Sequence, residues 1–506
     1  MDKYARFRYQ PCIPLGKNGR KVTGSTEHIA LSRTAAGEGM VLLKNENNAL
    51  PLKRGTRVAL FGKATIEYIK GGGGSGDVFT SHVTNIYEGF AQKEKEGKVK
   101  IYMPCVDYYK EYVKEESKKI PTREQIERTW DKVNAMSFCK EKDDIIYDTF
   151  ASMHVTEADA PDSLISDASK NADTAVITLS RFSAEGVDRK ATPNDYYLSD
   201  TEKSLIDRVS SAFEKTVVVL NSGGIMDCEH FAENKNVSAL IYGFQGGLEG
   251  GAVIADIICG DINPSGKMGD TIPKSYDFYQ NAAEFPEGFE HLDYFDDIYV
   301  GYRYFETIPG AYDKVRYEFG FGLSYTSFEF SGAFCGESDG KIIAVVTVKN
   351  TGRVPGKEVV QLYYSAPQGK LLKPAKELCA FKKTKLLSPG ESETVTLCFD
   401  VNDMASYDDL GKIRKSAYIL ERGEYKFYIG NSVRNVKELD YKYMLDSDVT
   451  VKQLTELLRP FKLEKRLLSD GTFETLPQGE EKYHSGKNIL SPAKAPETTV
   501  MFDEAG

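Results

Sequence analysis

Ala175-Val176-Ile177-Thr178-Leu179-Ser180, entered from Thr174, is an almost unbroken apolar run. Its length suits a strand, and the lack of polar alternation means neither face meets water. Two further runs repeat the pattern, Val217-Val218-Val219-Leu220-Asn221 and Ala239-Leu240-Ile241-Tyr242. Upstream, Val41-Leu42-Leu43-Lys44-Asn45 and Val58-Ala59-Leu60-Phe61-Gly62 read as short buried strands. Helical segments lie between them. Glu27 to Met40 has helical rhythm, Ser199-Asp200-Thr201-Glu202 opens a helix with a capping box, and Gly246 to Ile258 reads as a glycine-rich helix whose small residues allow close packing. Strands buried on both faces and alternating with helices predict an α/β three-layer sandwich with a mostly parallel sheet.

From Phe328 the rhythm changes. Ile342, Ala344, Val346 and Val348 alternate with their neighbours, Asn350-Thr351-Gly352 makes a turn, and Val359 to Tyr364, Glu393 to Phe399 and Tyr425 to Ile429 follow. Short strands separated by turns predict an all-β sandwich after the α/β part. Gln92 to Asp159 is Lys/Glu-rich and weakly patterned, as expected of surface helices forming an insertion. Past residue 440 one amphipathic segment is expected, Val451 to Leu468. The polar, Pro-, Gly-, Glu- and Lys-bearing remainder to Gly506 reads as an arm or linker.

The 506 residues, at about 150 per domain, suggest roughly three domains. Sixty-five Lys+Arg against 75 Asp+Glu leave a net charge of −10 with the basic residues scattered, which argues against a nucleic-acid partner. The apolar stretches are too short to span a membrane, and the start, Met1 to Arg8, lacks the apolar core of a secretory signal. Eight cysteines lie far apart with no Cys-x-x-Cys, and no Cys/His spacing resembles a zinc site. The expectation is a cytoplasmic protein with reduced thiols, no metal and no cofactor.

Two loops carry the candidates for chemistry. Gly71-Gly72-Gly73-Gly74-Ser75-Gly76 contains the G-x-G-x-x-G spacing, but the preceding strand ends near Gly62, no capped helix follows at once, and no Lys-Ser/Thr pair completes a phosphate loop. Its glycines fit close approach to a ligand or to another part of the chain better than nucleotide binding. The second loop, Ser180-Arg181-Phe182-Ser183-Ala184-Glu185-Gly186-Val187-Asp188-Arg189, starts where a buried parallel strand ends, the edge at which open α/β sheets place ligands. A carboxylate there can be poised over a cleft for proton transfer. The alternative for Glu185 and Arg189 is an i, i+4 surface ion pair.

Residues 36 to 330 resemble the α/β-sandwich domain of glycoside hydrolase family 3, the β-glucosidase and β-xylosidase family. The resemblance rests on Glu38 to Asn45, Leu50-Pro51-Leu52, the Gly71–Gly76 loop, Glu185-Gly186-Val187-Asp188-Arg189, Val219 to Gly223, Gly260 to Lys267, Val300 to Phe305 and Phe319 to Tyr325, in that order. Residues 331 to 440, with Asn350-Thr351-Gly352 and Gly356 to Tyr363, resemble the family's fibronectin type III-like domain. Residues 1–35 are then a leader and 441–506 the arm.

The resemblance implies that Glu185 is the general acid/base of a retaining β-glycosidase hydrolysing terminal β-linked sugars. Gly73, Gly74, Ser75, Asp188 and Arg189 are its candidate substrate-side residues. The family takes its Asp nucleophile from a (β/α)8 barrel, typically in a Ser/Thr-Asp-Trp context. Here the one tryptophan lies in Thr129-Trp130-Asp131, in the reverse order and inside the insertion. The sequence therefore resembles rearranged members of the family without their barrel. Its expected partners are a β-linked oligosaccharide or aryl glycoside and a barrel domain or subunit, with homo-oligomerisation left open. The alternative is a non-catalytic carbohydrate-binding or scaffold protein of the same fold. Aromatics in Tyr302-Arg303-Tyr304-Phe305 are expected to pack a core or domain interface rather than to form sugar platforms.

Overall fold

The continuous apolar runs become the middle of a six-stranded sheet. Along the chain come α1 (Thr26–Gly39), β1 (Val41–Asn45), β2 (Thr56–Phe61), α2 (Ile86–Lys95), β3 (Val99–Ile101), α3 (Met103–Glu116), α4 (Arg123–Ala135), α5 (Lys140–Ser152), α6 (Asp162–Asn171), β4 (Thr174–Arg181), α7 (Asp200–Ala212), β5 (Thr216–Ser222), α8 (Glu229–Glu233), β6 (Val237–Tyr242) and α9 (Gly250–Cys259). In this computed structural model the described residues are 24–76, 78, 80, 82–137, 139–183, 188–282, 293–455 and 463–478. Glu185, the leader before residue 24, the tail from 479 and the side chain of Ser75 lie outside them.

The strand order is β1-β6-β5-β4-β2-β3, with β2 through β6 parallel and β1 antiparallel at the edge. Every residue of β4 and β5 is buried. Alternate residues feed two cores. Ala175, Ile177, Val218 and Leu220 face the layer holding Tyr109 and Leu205, while Val176, Val217 and Val219 face the layer holding Phe90, Ile254 and Ile258. Each fully buried aliphatic side chain contributes about 1.5–3 kcal/mol, so the double-sided strands are the sheet's principal source of stability. The Ser199 capping box forms as expected: its hydroxyl accepts the Glu202 amide at 3.2 Å, and the Glu202 carboxylate accepts the Ser199 amide at 2.8 Å. The glycines of the Gly246–Ile258 stretch do allow close packing. A Cβ on Gly251 of α9 would stand 2.4 Å from the Thr84 carbonyl oxygen, and one on Gly89 of α2 would stand 2.4 Å from the Gly251 carbonyl oxygen. The Gln92–Asp159 stretch is helical as expected, except that β3, a strand of three residues pairing with β2, interrupts it.

A short antiparallel pair, β7 (Ile272–Pro273) and β8 (Val315–Tyr317), brackets α10 (Tyr302–Thr307) and leads to the second domain. Its strands are β9 (Phe328–Ser338), β10 (Lys341–Asn350), β11 (Val359–Ser365), β12 (Glu377–Lys383), β13 (Ser392–Asp400), β14 (Ser406–Asp408), β15 (Ala417–Leu420), β16 (Gly423–Gly430), β17 (Val436–Leu445) and β18 (Val449–Gln453). Sheets β13-β10-β9 and β12-β11-β16-β17 enclose one core, into which Ile342, Ala344, Val346 and Val348 point at period two. The Asn350 side chain closes its turn, donating to the Val354 and Leu387 carbonyls at 2.8 Å each and accepting the Gly352 amide at 3.0 Å. Tyr302 stacks on Phe319 with centroids 4.4 Å apart and meets Tyr363 edge-on at 6.4 Å, so the aromatic motif packs the domain junction.

The described chain beyond 440 differs from a bare arm. β17 runs through residue 445, β18 pairs with β15, and β19 (Lys465–Leu467) pairs with β20 (Phe473–Thr475). The expected amphipathic segment Val451 to Leu468 is therefore strand at both described ends. Each described piece is a few residues long and takes its strand state from the strand it pairs with, β15 for one and β20 for the other.

Candidate active site

The sheet has one point where successive parallel strands turn outward to opposite sides: β3 lies to one side of β2 and β4 to the other. Loops leaving the carboxyl ends of β2 and β4 diverge there and open a crevice. A cavity of about 230 Å³ occupies it, lined among others by Lys63, Glu157, Ser180, Phe182, Asp188 and Asn194.

The glycine loop and the second candidate loop meet at this crevice. The Gly73 amide donates to the Ser183 carbonyl at 2.8 Å, and a Cβ on Gly72 would stand 3.0 Å from that same oxygen. Gly74 has φ 72°, in the left-handed region. Behind them Asn221, fully buried at the end of β5, accepts the Ile69 amide at 2.8 Å and donates to the Ile69 and Phe244 carbonyls at 2.9 and 2.8 Å. One amide side chain thereby joins the loops after β2, β5 and β6.

Asp195 organises the loop after β4. Its carboxylate accepts Arg189 Nε at 2.5 Å, the Lys190 amide at 2.6 Å and the Tyr147 hydroxyl at 2.9 Å. Its carbonyl accepts Arg181 Nε at 2.8 Å and Arg189 Nη2 at 2.7 Å. Arg189 Nη1 donates to the Ile225 carbonyl at 2.6 Å, so its guanidinium is committed to holding the loop. Among the described residues the carboxylate partner of Arg189 is Asp195, six residues on; the i, i+4 alternative with Glu185 lies outside the described residues. Beneath, Arg181 and Glu202 form a bidentate pair at 2.6 and 2.8 Å with both side chains 4% exposed. Asp188 is exposed at the cavity's edge.

Glu157, on the cavity wall, accepts the Lys63 amide at 3.1 Å and the Ala158 amide at 2.9 Å. Burial outweighs these donors and pushes its carboxyl up to about 7. Tyr147 is pushed up to about 12 by burial and then by the Asp195 charge.

The family model of the glycosyl hydrolase family 3 C-terminal domain matches residues 40–325. The chain belongs to glycosyl hydrolase family 3. A fibronectin type III-like domain model matches residues 358–433. Among curated relatives, β-glucosidase A of Butyrivibrio fibrisolvens is 44% identical over 95% of this chain and 59% of its own length. A β-glucosidase of Ruminococcus albus is 36% identical over 87% of this chain and 43% of its own length. Among solved structures, a β-glucosidase from Paenibacillus barengoltzii superposes with TM-score 0.76 at 34% identity, over 89% of this chain and 48% of that one. The chain thus spans about half the length of these relatives.

Family membership fits the crevice. The sequence located both loops that meet there, Gly73 and Gly74 with Asp188 and Arg189. It did not single out Asp195, Tyr147 or Glu157. Asn194-Asp195 reads locally as a turn, and Tyr147 and Glu157 sit in the weakly patterned insertion, so only long-range contacts reveal them. Among the described residues no helix is long and apolar enough to cross a membrane, and no group of His, Cys, Asp and Glu could hold a metal ion.

Proposed function

We propose that this chain supplies the general acid/base, Glu185, of a retaining β-glycosidase acting on terminal β-linked sugars, of β-glucosidase or β-xylosidase type. Glu185 protonates the glycosidic oxygen as the first bond breaks, then deprotonates the water that releases the sugar from the enzyme. An Asp nucleophile, about 5–5.5 Å from the acid in retaining enzymes, comes from a (β/α)8 barrel domain or subunit that joins this chain. The substrate is a β-linked oligosaccharide or aryl glycoside, bound partly by Gly73, Gly74, Ser75 and Asp188. A cytoplasmic location belongs to the same proposal and rests on the wide spacing of the eight cysteines in the sequence.

The observation that carries the reading is the pairing of the two loops at the sheet's switch point. The flanks of the Glu185 stretch are fixed at Ser183 by Gly73 and at Arg189 by Asp195. β-Glucosidase names among the relatives support the reaction class.

The test is hydrolysis of aryl β-glucoside and β-xyloside by the chain alone and mixed with a family 3 barrel polypeptide, each with Glu185→Gln as control. Turnover confined to the mixture and abolished by Glu185→Gln is the expected result. Turnover by the unmixed chain would put the nucleophile in this sequence. Silence in a mixture proven to contain the complex would favour the scaffold alternative.

A further inference from the structure

α5 has no fully buried residue, and the loop that follows β4 holds it along one side. Asp144, Tyr147 and Phe150 recur at helical spacing, and His154 lies just past the helix end. Asp144 pairs with Lys190 at 2.7 Å, and the Lys190 ammonium lies 4.2 Å from the Tyr147 ring centroid. The Tyr147 hydroxyl donates to Asp195 at 2.9 Å. At the other end, the rings of Phe150 and His154 flank Phe182 at 5.9 and 4.2 Å. His154 is itself anchored through Glu67, 3.3 Å from its Nδ1, and Glu67 is paired with Lys63 at 2.7 Å in the loop after β2. α4 backs the assembly, with Trp130 5.4 Å from Phe150.

Contacts therefore fall on both sides of the Glu185 stretch: Phe182 before it, Lys190 and Asp195 after it. A thirteen-residue helix is marginal by itself, so α5 and the loop order each other. A general acid works only when held within about 0.5 Å of its productive place, and a misplacement near 1 Å costs about 100-fold.

We propose that α5 with His154 is the positioning element for the acid/base loop, with Tyr147, Phe150 and His154 as positioning residues that act through Phe182 and Asp195. The proposal rests on the acid/base reading of Glu185, and it assigns the helical insertion a role in proton delivery.

The discriminating readout is leaving-group dependence, since a 2,4-dinitrophenolate departs without a proton and an alkoxide does not. In the chain–barrel complex, kcat/KM is measured for 2,4-dinitrophenyl and methyl β-glucosides with Tyr147→Phe, Phe150→Leu, His154→Ala and Glu185→Gln. The α5 variants are expected to lose about 10-fold or more on the methyl glucoside and under about 3-fold on the dinitrophenyl one, a smaller version of the Glu185→Gln pattern. Trp130 is the one tryptophan of the chain, so its emission in the unmixed chain reports the same contacts; Phe182→Ala should shift it to longer wavelength. Equal losses on both substrates, or none, beside a selective Glu185→Gln would overturn the positioning role alone. A Glu185→Gln that loses equally on both would sink the acid/base reading and this role with it, even if Trp130 still responds. A Trp130 spectrum indifferent to Phe182→Ala would overturn the docking of α4 and α5 on the loop.

Discussion

At the scale of single residues, the loop after β4 is held by charge-assisted hydrogen bonds that converge on Asp195. Arg189 spends its planar guanidinium on three acceptors at once, Asp195 twice and Ile225 once. A lysine keeps the charge but cannot span those acceptors. Arg189→Lys is expected to cost about 2 kcal/mol in urea unfolding, because Asp195 is buried and would keep an unmatched lone pair. Glu157 carries a pH signature. Its carboxyl is raised from 4.5 to about 7, so the folded state holds the proton more tightly than the unfolded chain does. Stability from this group is complete below pH 4.5 and is lost as the pH rises toward 7, by up to about 3 kcal/mol. Denaturation curves of the native protein and Glu157→Gln should diverge across that window and run parallel above it; equal slopes throughout would contradict the assignment.

At the scale of elements, the α2–α9 crossing depends on glycines rather than on large apolar side chains. Gly89 and Gly251 let the two backbones touch, and α9 is buried along almost its whole length. Gly251→Ala forces a methyl to 2.4 Å from the Thr84 carbonyl oxygen and should cost about 1–3 kcal/mol, read as a lower urea midpoint at unchanged slope. The legible elements were those with a strong repeating pattern: β4 and β5 as continuous apolar runs, β10 as strict alternation, α7 by its capping box. β3 and the strands after residue 440 were not legible. With three to five residues each, β3, β18, β19 and β20 owe their strand state to a partner strand supplied from elsewhere in the chain.

At the scale of the whole molecule, the two matched domains are joined by buried polar contacts as well as aromatics. Lys267 pairs with Glu358 at 2.8 Å with side chains 11% and 7% exposed, and Asn431 Nδ2 donates to the same carboxylate at 2.8 Å. Gln361 donates to the buried Gly320 carbonyl at 3.1 Å, and at the exposed edge of the junction Asn263 donates to the Pro355 carbonyl at 2.9 Å. Removing one member of a buried pair strands its partner, so Glu358→Ala should cost about 3–5 kcal/mol. Calorimetry should then resolve two unfolding transitions in the variant and a single one in the native chain. The Gly260–Lys267 and Phe319–Tyr325 motifs thus do their visible work at this junction, away from the crevice.

The sequence by itself determined the two fold classes, their order, the family and the two loops that meet at the crevice. These follow from local periodicity, capping and short motifs, all properties of neighbouring residues. Only the tertiary structure decided that β2 and β4 flank the switch point, that Gly73 and Ser183 touch, and that Asp195, Glu157 and α5 belong to the same site. Lys63 and Glu157 stand 94 positions apart yet share a hydrogen bond, and Asn221 and Ile69 stand 152 apart. Such contacts exist because packing the sheet closes long loops. No local pattern records which distant groups those loops bring within three ångströms.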